Sequence, residues 1–151
     1  MYDFAHALRI TLAFEGGKVD DPADPGGRTA FGITQTTLDA WRSYRGEDKG
    51  DVWTIGPDEV AAIYETQYWK AAGCENLSWP LSLVHFDSAV NSGGGRASKW
   101  LLAAQWADVP TQTEAFVYLT LRREHILANA SQRFVRGLLN RIDGLLREVG
   151  L

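Results

Sequence analysis

The sequence predicts a mainly helical α+β fold in which a small β or turn region follows the first helix. Two observations predict it. Apolar residues recur at three- and four-residue steps along most of the chain, whereas residues 18 to 33 break that rhythm with two Asp-Pro steps and paired glycines. With 151 residues, 45% apolar and 11% aromatic, the chain has the size of one domain and can bury roughly 70% of its unfolded surface.

Asp3 is placed to cap a first helix in which Phe4, Leu8, Thr11 or Leu12, and Glu15 share a face, and Gly16-Gly17 stop it. Glu15 therefore falls on or beside the inward stripe. A carboxyl in such a place loses solvent, which favours its protonated form, or it is held charged by an arginine or by loop N–H groups. Asp21-Pro22, Asp24-Pro25 and Gly26-Gly27 predict consecutive turns, and Phe31-Gly32-Ile33 a short hairpin. Thr34 then caps a helix reaching about Tyr44, and RGEDKG at 45 to 50 reads as a solvated loop.

Pro57 opens the next helix, carried to about Ala71 by Val60, Ile63, Tyr64 and Tyr68 and closed by Gly73. Pro80 starts a mostly apolar helix that ends at the glycines 93 to 95, and Arg96 to Ala107 continues helical. Thr111-Gln112-Thr113-Glu114 has the pattern of a capping box before a further helix. The last amphipathic segment, about Phe134 to Val149, carries Gly137 and Gly144, which weaken its helical propensity.

The net charge of -4 gives no general argument for nucleic-acid binding. Its distribution is uneven: residues 1 to 75 hold 7 Lys or Arg against 13 Asp or Glu, and residues 76 to 151 hold 8 against 6. The arginines at 122, 123, 133, 136 and 141 are expected on a solvated face. No basic leader and no run of 18 apolar residues occurs, so synthesis in the cytoplasm without membrane insertion is expected, as is a monomer. Cys74 has no partner for an intramolecular disulfide and is expected to be buried and inert. His6, His85 and His125 form no metal motif, and neither a dinucleotide fingerprint nor a phosphate loop is present; no cofactor is expected.

Glu15 and Asp24 are the pair that carries chemistry. Eight residues separate them, enough for the chain to reverse and set a loop carboxylate opposite the helix end. Cleavage of a glycosidic bond needs such a pair: a protonated carboxyl donates to the leaving oxygen while a charged group supports the oxocarbenium-like state or activates water. Turn capping is the competing role for Asp20, Asp21 and Asp24. Thr29 and Thr34 offer hydroxyls for water or sugar, or for turns and caps. Among Trp41, Trp53, Tyr64, Tyr68, Trp69 and Trp79, most are expected in the core, with Tyr64 and Trp79 the candidates for a sugar-contacting face.

The order EGG, DPADPGG, then T-x-FGIT resembles the N-terminal signature of the family 108 glycoside hydrolases, bacterial and phage N-acetylmuramidases. The likeness continues through FDSAVNSGGGRASKWL at 86 to 101 and GLLNRID at 137 to 143. It implies a lysozyme-like fold and hydrolysis of the β-1,4 bond between N-acetylmuramic acid and N-acetylglucosamine in peptidoglycan. It implies Glu15 as the catalytic acid, with Asp24 and Thr29 placing the attacking water as in phage-type lysozymes. Tyr64, Trp79 and Asn91 are taken as substrate contacts. Within a single domain of residues 1–151, it divides a catalytic lobe at 1–93 from a helical lobe at 94–151 that resembles a peptidoglycan-binding region. Lys18 stands where many members have tyrosine. With no leader, such an enzyme reaches the wall through a holin or another route. A lytic transglycosylase, and a non-catalytic peptidoglycan-binding or assembly protein, are the other readings.

Overall fold

The computed structural model describes residues 4–18 and 28–151. Seven α-helices and one two-stranded hairpin are formed among them, which is the mainly helical α+β arrangement expected from the apolar spacing. Backbone contacts group into two units, Asp3–Gln67 and Tyr68–Leu151. The expected boundary at 93 and 94 lies inside the second unit, between two of its helices.

The first unit opens with α1 (Phe4–Phe14), which buries Ala7, Leu8, Ile10 and Thr11. The hairpin follows, β1 (Thr29–Ala30) antiparallel to β2 (Ile33–Thr34), with Thr29 opposite Thr34 and Ala30 opposite Ile33. Ala30 and Ile33 point into the core at 0% and 2% exposure, so the apolar pair fixes the register. Thr34 then caps α2 (Gln35–Arg45) as its sequence predicts: its hydroxyl accepts from the Thr37 N–H at 3.1 Å. Such a cap contributes about 1 kcal/mol. Gly46 ends the helix in the left-handed conformation.

The loop after α2 is mostly exposed but pinned. Gln35 donates to the Gly50 carbonyl and accepts from the Val52 N–H. Arg42 makes a bidentate pair with Glu59 of α3 (Pro57–Tyr64), at 2.8 and 2.6 Å, which holds the Glu59 carboxyl below its ordinary range. The continuous helix expected to about 71 is interrupted. After Tyr64 the backbone widens into a π-helical stretch, Glu65–Lys70. Propensity does not signal such a widening. Trp69, at its end, is buried edge-on to Phe86, with ring centroids 5.4 Å apart.

The second unit is built on α4 (Leu81–Ser92), buried without interruption from Leu81 through Ala89. It packs against α5 (Gly94–Gln105) and α6 (Thr111–Asn129), and α6 packs against α7 (Gln132–Glu148). Asp87 sits in the middle of α4 with no exposure. It accepts from Arg122 of α6 at 2.7 Å and from Arg141 of α7 at 2.8 Å. Burial alone would raise the Asp87 carboxyl, but the two guanidinium charges outweigh it and hold the group below the ordinary aspartate range. Arg122 and Arg141 thus leave the solvated face on which the sequence placed them, because a buried carboxylate draws them inward.

One further expectation changes, and the last helix forms as its amphipathic pattern predicts. Pro110, not Thr111, precedes the first turn of α6, and its carbonyl accepts from the Thr113 and Glu114 N–H groups; no side chain caps that end. α7 forms through both glycines because Arg141, Ile142 and Leu145 are buried on one face, where packing overrides propensity. Cys74 is buried, and burial first, with the Glu75 charge second, pushes its thiol up to about 12. Among the described residues no helix is long and apolar enough to cross a membrane.

Candidate functional site

Glu15 lies one residue beyond the end of α1. Its N–H still donates to the Leu12 carbonyl at 3.2 Å, so the last helical turn fixes where the side chain leaves the backbone. The side chain is half-buried. Beside it stands the hairpin turn formed by Phe31 and Gly32, with φ of 52° and 75°. A two-residue hairpin with positive φ at both positions matches the twist of its strands.

Gly32 is the point of closest approach. A Cβ there would stand 3.0 Å from Glu15 Oε2 and 2.7 Å from the Tyr64 hydroxyl oxygen. The missing side chain is therefore what lets the carboxyl and the phenol meet the turn backbone. Tyr64, the last residue of α3, donates its hydroxyl to the Phe31 carbonyl at 2.7 Å. The other end of the hairpin is tied by Arg28, which pairs with Asp51 at 2.8 Å and lies over the Trp53 ring at 4.3 Å. The Gln35 N–H adds a backbone bond to the Arg28 carbonyl. Hairpin and carboxyl are thus held by α1, α3 and the 52–54 turn together.

The residues picked from sequence fall in different places. Glu15, Thr29 and Tyr64 belong to the first unit, and Thr29 is half-buried on β1. Tyr64 is 1% exposed. Its ring lies beneath the hairpin instead of offering an open stacking face, and its hydroxyl supports the turn. Trp79, half-buried, and Asn91, exposed, belong to the second unit. Asn91 Oδ1 accepts from Arg122 Nη2 at 2.9 Å. Asp24 lies outside the described residues. Among the described residues, no group of three or more His, Cys, Asp or Glu side chains is placed to hold a metal ion.

Two residues matter more than the sequence reading gave them. Gly32 sets the approach of Glu15 and Tyr64, and Phe31, at the tip of the same turn, leaves its ring 41% exposed. The signal was an FG pair between two short β-prone steps, since a hairpin turn of that length needs positive φ. A half-buried carboxyl beside a bare stretch of turn backbone is placed to meet an oxygen of a ligand lying against the hairpin.

A model of the family described as glycosyl hydrolase 108 matches residues 8–93, more than half of the chain. The chain belongs to the glycosyl hydrolase 108 family. As a glycosyl hydrolase 108 protein it is an enzyme that hydrolyses glycosidic bonds. The matched segment takes in Glu15, the hairpin, Tyr64, Trp79 and Asn91. The solved structure of Brucella abortus SagA has a similar fold, with a TM-score of 0.76 and 24% sequence identity over 97% of this chain and 92% of that one. No curated protein matches the sequence.

Proposed function

We propose that this glycosyl hydrolase 108 enzyme is an N-acetylmuramidase that hydrolyses the β-1,4 bond between N-acetylmuramic acid and N-acetylglucosamine in peptidoglycan, with Glu15 as general acid. The observation that carries the reading is the Glu15 carboxyl at the end of α1, set against the bare backbone of Gly32 inside the segment that matches the family. The glycan lies against the hairpin, and Glu15 protonates the oxygen of the leaving sugar as the glycosidic bond breaks. Asp24 polarises the attacking water and Thr29 helps to place it. Water adds to the anomeric carbon, giving a reducing end.

An inverting course requires the two carboxyl groups about 6.5–9.5 Å apart, leaving room for that water, and a retaining course about 5–5.5 Å. Inversion is the course assigned here, and Tyr64 acts by holding the hairpin. Trp79 is assigned as a glycan contact and Asn91 as a contact to the substrate, and residues 94–151 add to peptidoglycan binding. The enzyme reaches the wall by a holin or another route.

Mass spectrometry of peptidoglycan digested by the purified protein tests the reaction. Muropeptides ending in reducing N-acetylmuramic acid, heavier by one water than the 1,6-anhydro form, are expected. Anhydro products would replace hydrolysis by a lytic transglycosylase reaction, and binding without any release would leave a non-catalytic wall-binding protein. Asp24→Asn is expected to slow the release of reducing ends; a change confined to thermal stability would assign Asp24 to turn capping.

A further inference from the structure

A cavity of about 280 Å³ lies wholly within the second unit, lined among others by Asn91, Arg96, His125, Ile126, Asn129 and Leu138. No acidic side chain is among its lining residues. Several of its polar groups are oriented by neighbouring side chains. Arg122, fully buried, can only donate, so its 2.9 Å bond to Asn91 Oδ1 sets that amide with its oxygen inward and its NH₂ as the group left to offer. The Asn129 NH₂ donates to the His125 carbonyl at 2.9 Å and meets His125 Nδ1 at 3.2 Å. Because that amide nitrogen can only donate, Nδ1 accepts, and the imidazole carries a proton on Nε2. The ring is held edge-on to Trp100, centroids 5.6 Å apart.

The residues lining the cavity thus carry donor groups at Asn91, Arg96 and His125 and apolar side chains at Ile126 and Leu138. Arg96 lies in the first turn of α5, where no side chain caps the helix and a Cβ on Gly93, Gly94 or Gly95 would meet nothing within 4 Å. The start of α5 is thus uncovered, and its dipole adds to the guanidinium charge of Arg96. Donors of this kind beside apolar side chains suit a carboxylate carried next to a small aliphatic group.

The geometry points to this cavity as a subsite for the carboxylate-bearing peptide arm of peptidoglycan, with Arg96 taking the carboxylate, Asn91 and His125 donating to it, and Ile126 and Leu138 facing the aliphatic part. The assignment rests on the peptidoglycan reading above and extends it from the glycan to the peptide. It gives Asn91 a role in the second unit that does not depend on Glu15.

The test is a two-dimensional NMR titration of the full chain carrying Glu15→Gln, with N-acetylmuramyl dipeptide as one probe and peptide-free chitotetraose as the other. The dipeptide is expected to shift the side-chain amide signals of Asn91 and Asn129. Adding Arg96→Ala should weaken its affinity by about tenfold or more, the size expected for a lost charge-assisted bond, and Arg96→Lys should restore part of it. No shift with the dipeptide, an equal shift with chitotetraose, or an affinity unchanged by Arg96→Ala would each overturn the assignment. Release of reducing ends from peptidoglycan by the unaltered protein is scored alongside. Release without an amide response rejects the subsite alone, whereas an amide response without release rejects the muramidase reading and keeps the subsite.

Discussion

The hydroxyl of Tyr64 donates to the carbonyl of Phe31 at 2.7 Å and thereby ties the end of α3 to the turn that meets Glu15. In the proposed mechanism this bond makes Tyr64 a positioning residue. Tyr64→Phe keeps the buried ring and removes the donor, at a cost of about 1 kcal/mol in stability. On peptidoglycan, kcat should fall while KM holds, since the glycan loses no contact but the turn loses its tether. Steady-state turnover paired with thermal denaturation checks this; a rise in KM at constant kcat would instead give the hydroxyl a direct part in binding.

Gly32→Ala should damage the site more than the fold. The methyl would meet both the Glu15 carboxyl and the Tyr64 hydroxyl, and the backbone at φ 75° disfavours a Cβ by about 1–2 kcal/mol. Displacing the proposed acid by a fraction of an ångström is expected to lower turnover about tenfold or more. Circular dichroism should report a folded protein; turnover at the original level would show that the approach of Glu15 to the turn has no part in the reaction.

Asp87→Asn should destabilise the second unit by about 3–5 kcal/mol, because Arg122 would stay buried without its carboxylate. For a chain of this size, that corresponds to a drop of about 10 °C in Tm. The pH dependence has a defined sign. The folded Asp87 carboxyl is held below its unfolded value, so on acidification the unfolded chain takes up the proton first. The stabilisation is fully present above about pH 4 and is lost as the pH falls through the folded value. Differential scanning calorimetry across that range should show the original protein losing Tm toward acid more steeply than Asp87→Asn.

The helices were legible where a local cause sets them. Thr34, Pro57 and the glycine at 93 mark ends through backbone geometry that their own side chains, or the lack of one, dictate. The hairpin was legible in Phe31-Gly32-Ile33 for the same reason. What was hidden depends on partners far along the chain. Nothing near Arg122 or Arg141 in sequence reveals that Asp87, 35 and 54 residues away, draws both into the core. Tyr64 has the spacing of any core aromatic, and only the fold brings its hydroxyl to Phe31. Glu15 could be picked out by its place after the helix and by family likeness, whereas its approach to Gly32 required the turn to be built.

One paired measurement tests most directly whether Glu15 is the acid of a peptidoglycan hydrolase. Glu15→Gln keeps the shape of the side chain and removes the proton donor. Release of reducing ends from purified peptidoglycan should fall by about 100-fold or more, with an unchanged circular dichroism spectrum. Turnover near that of the original protein, from a chain folded equally well, would rule Glu15 out as the acid.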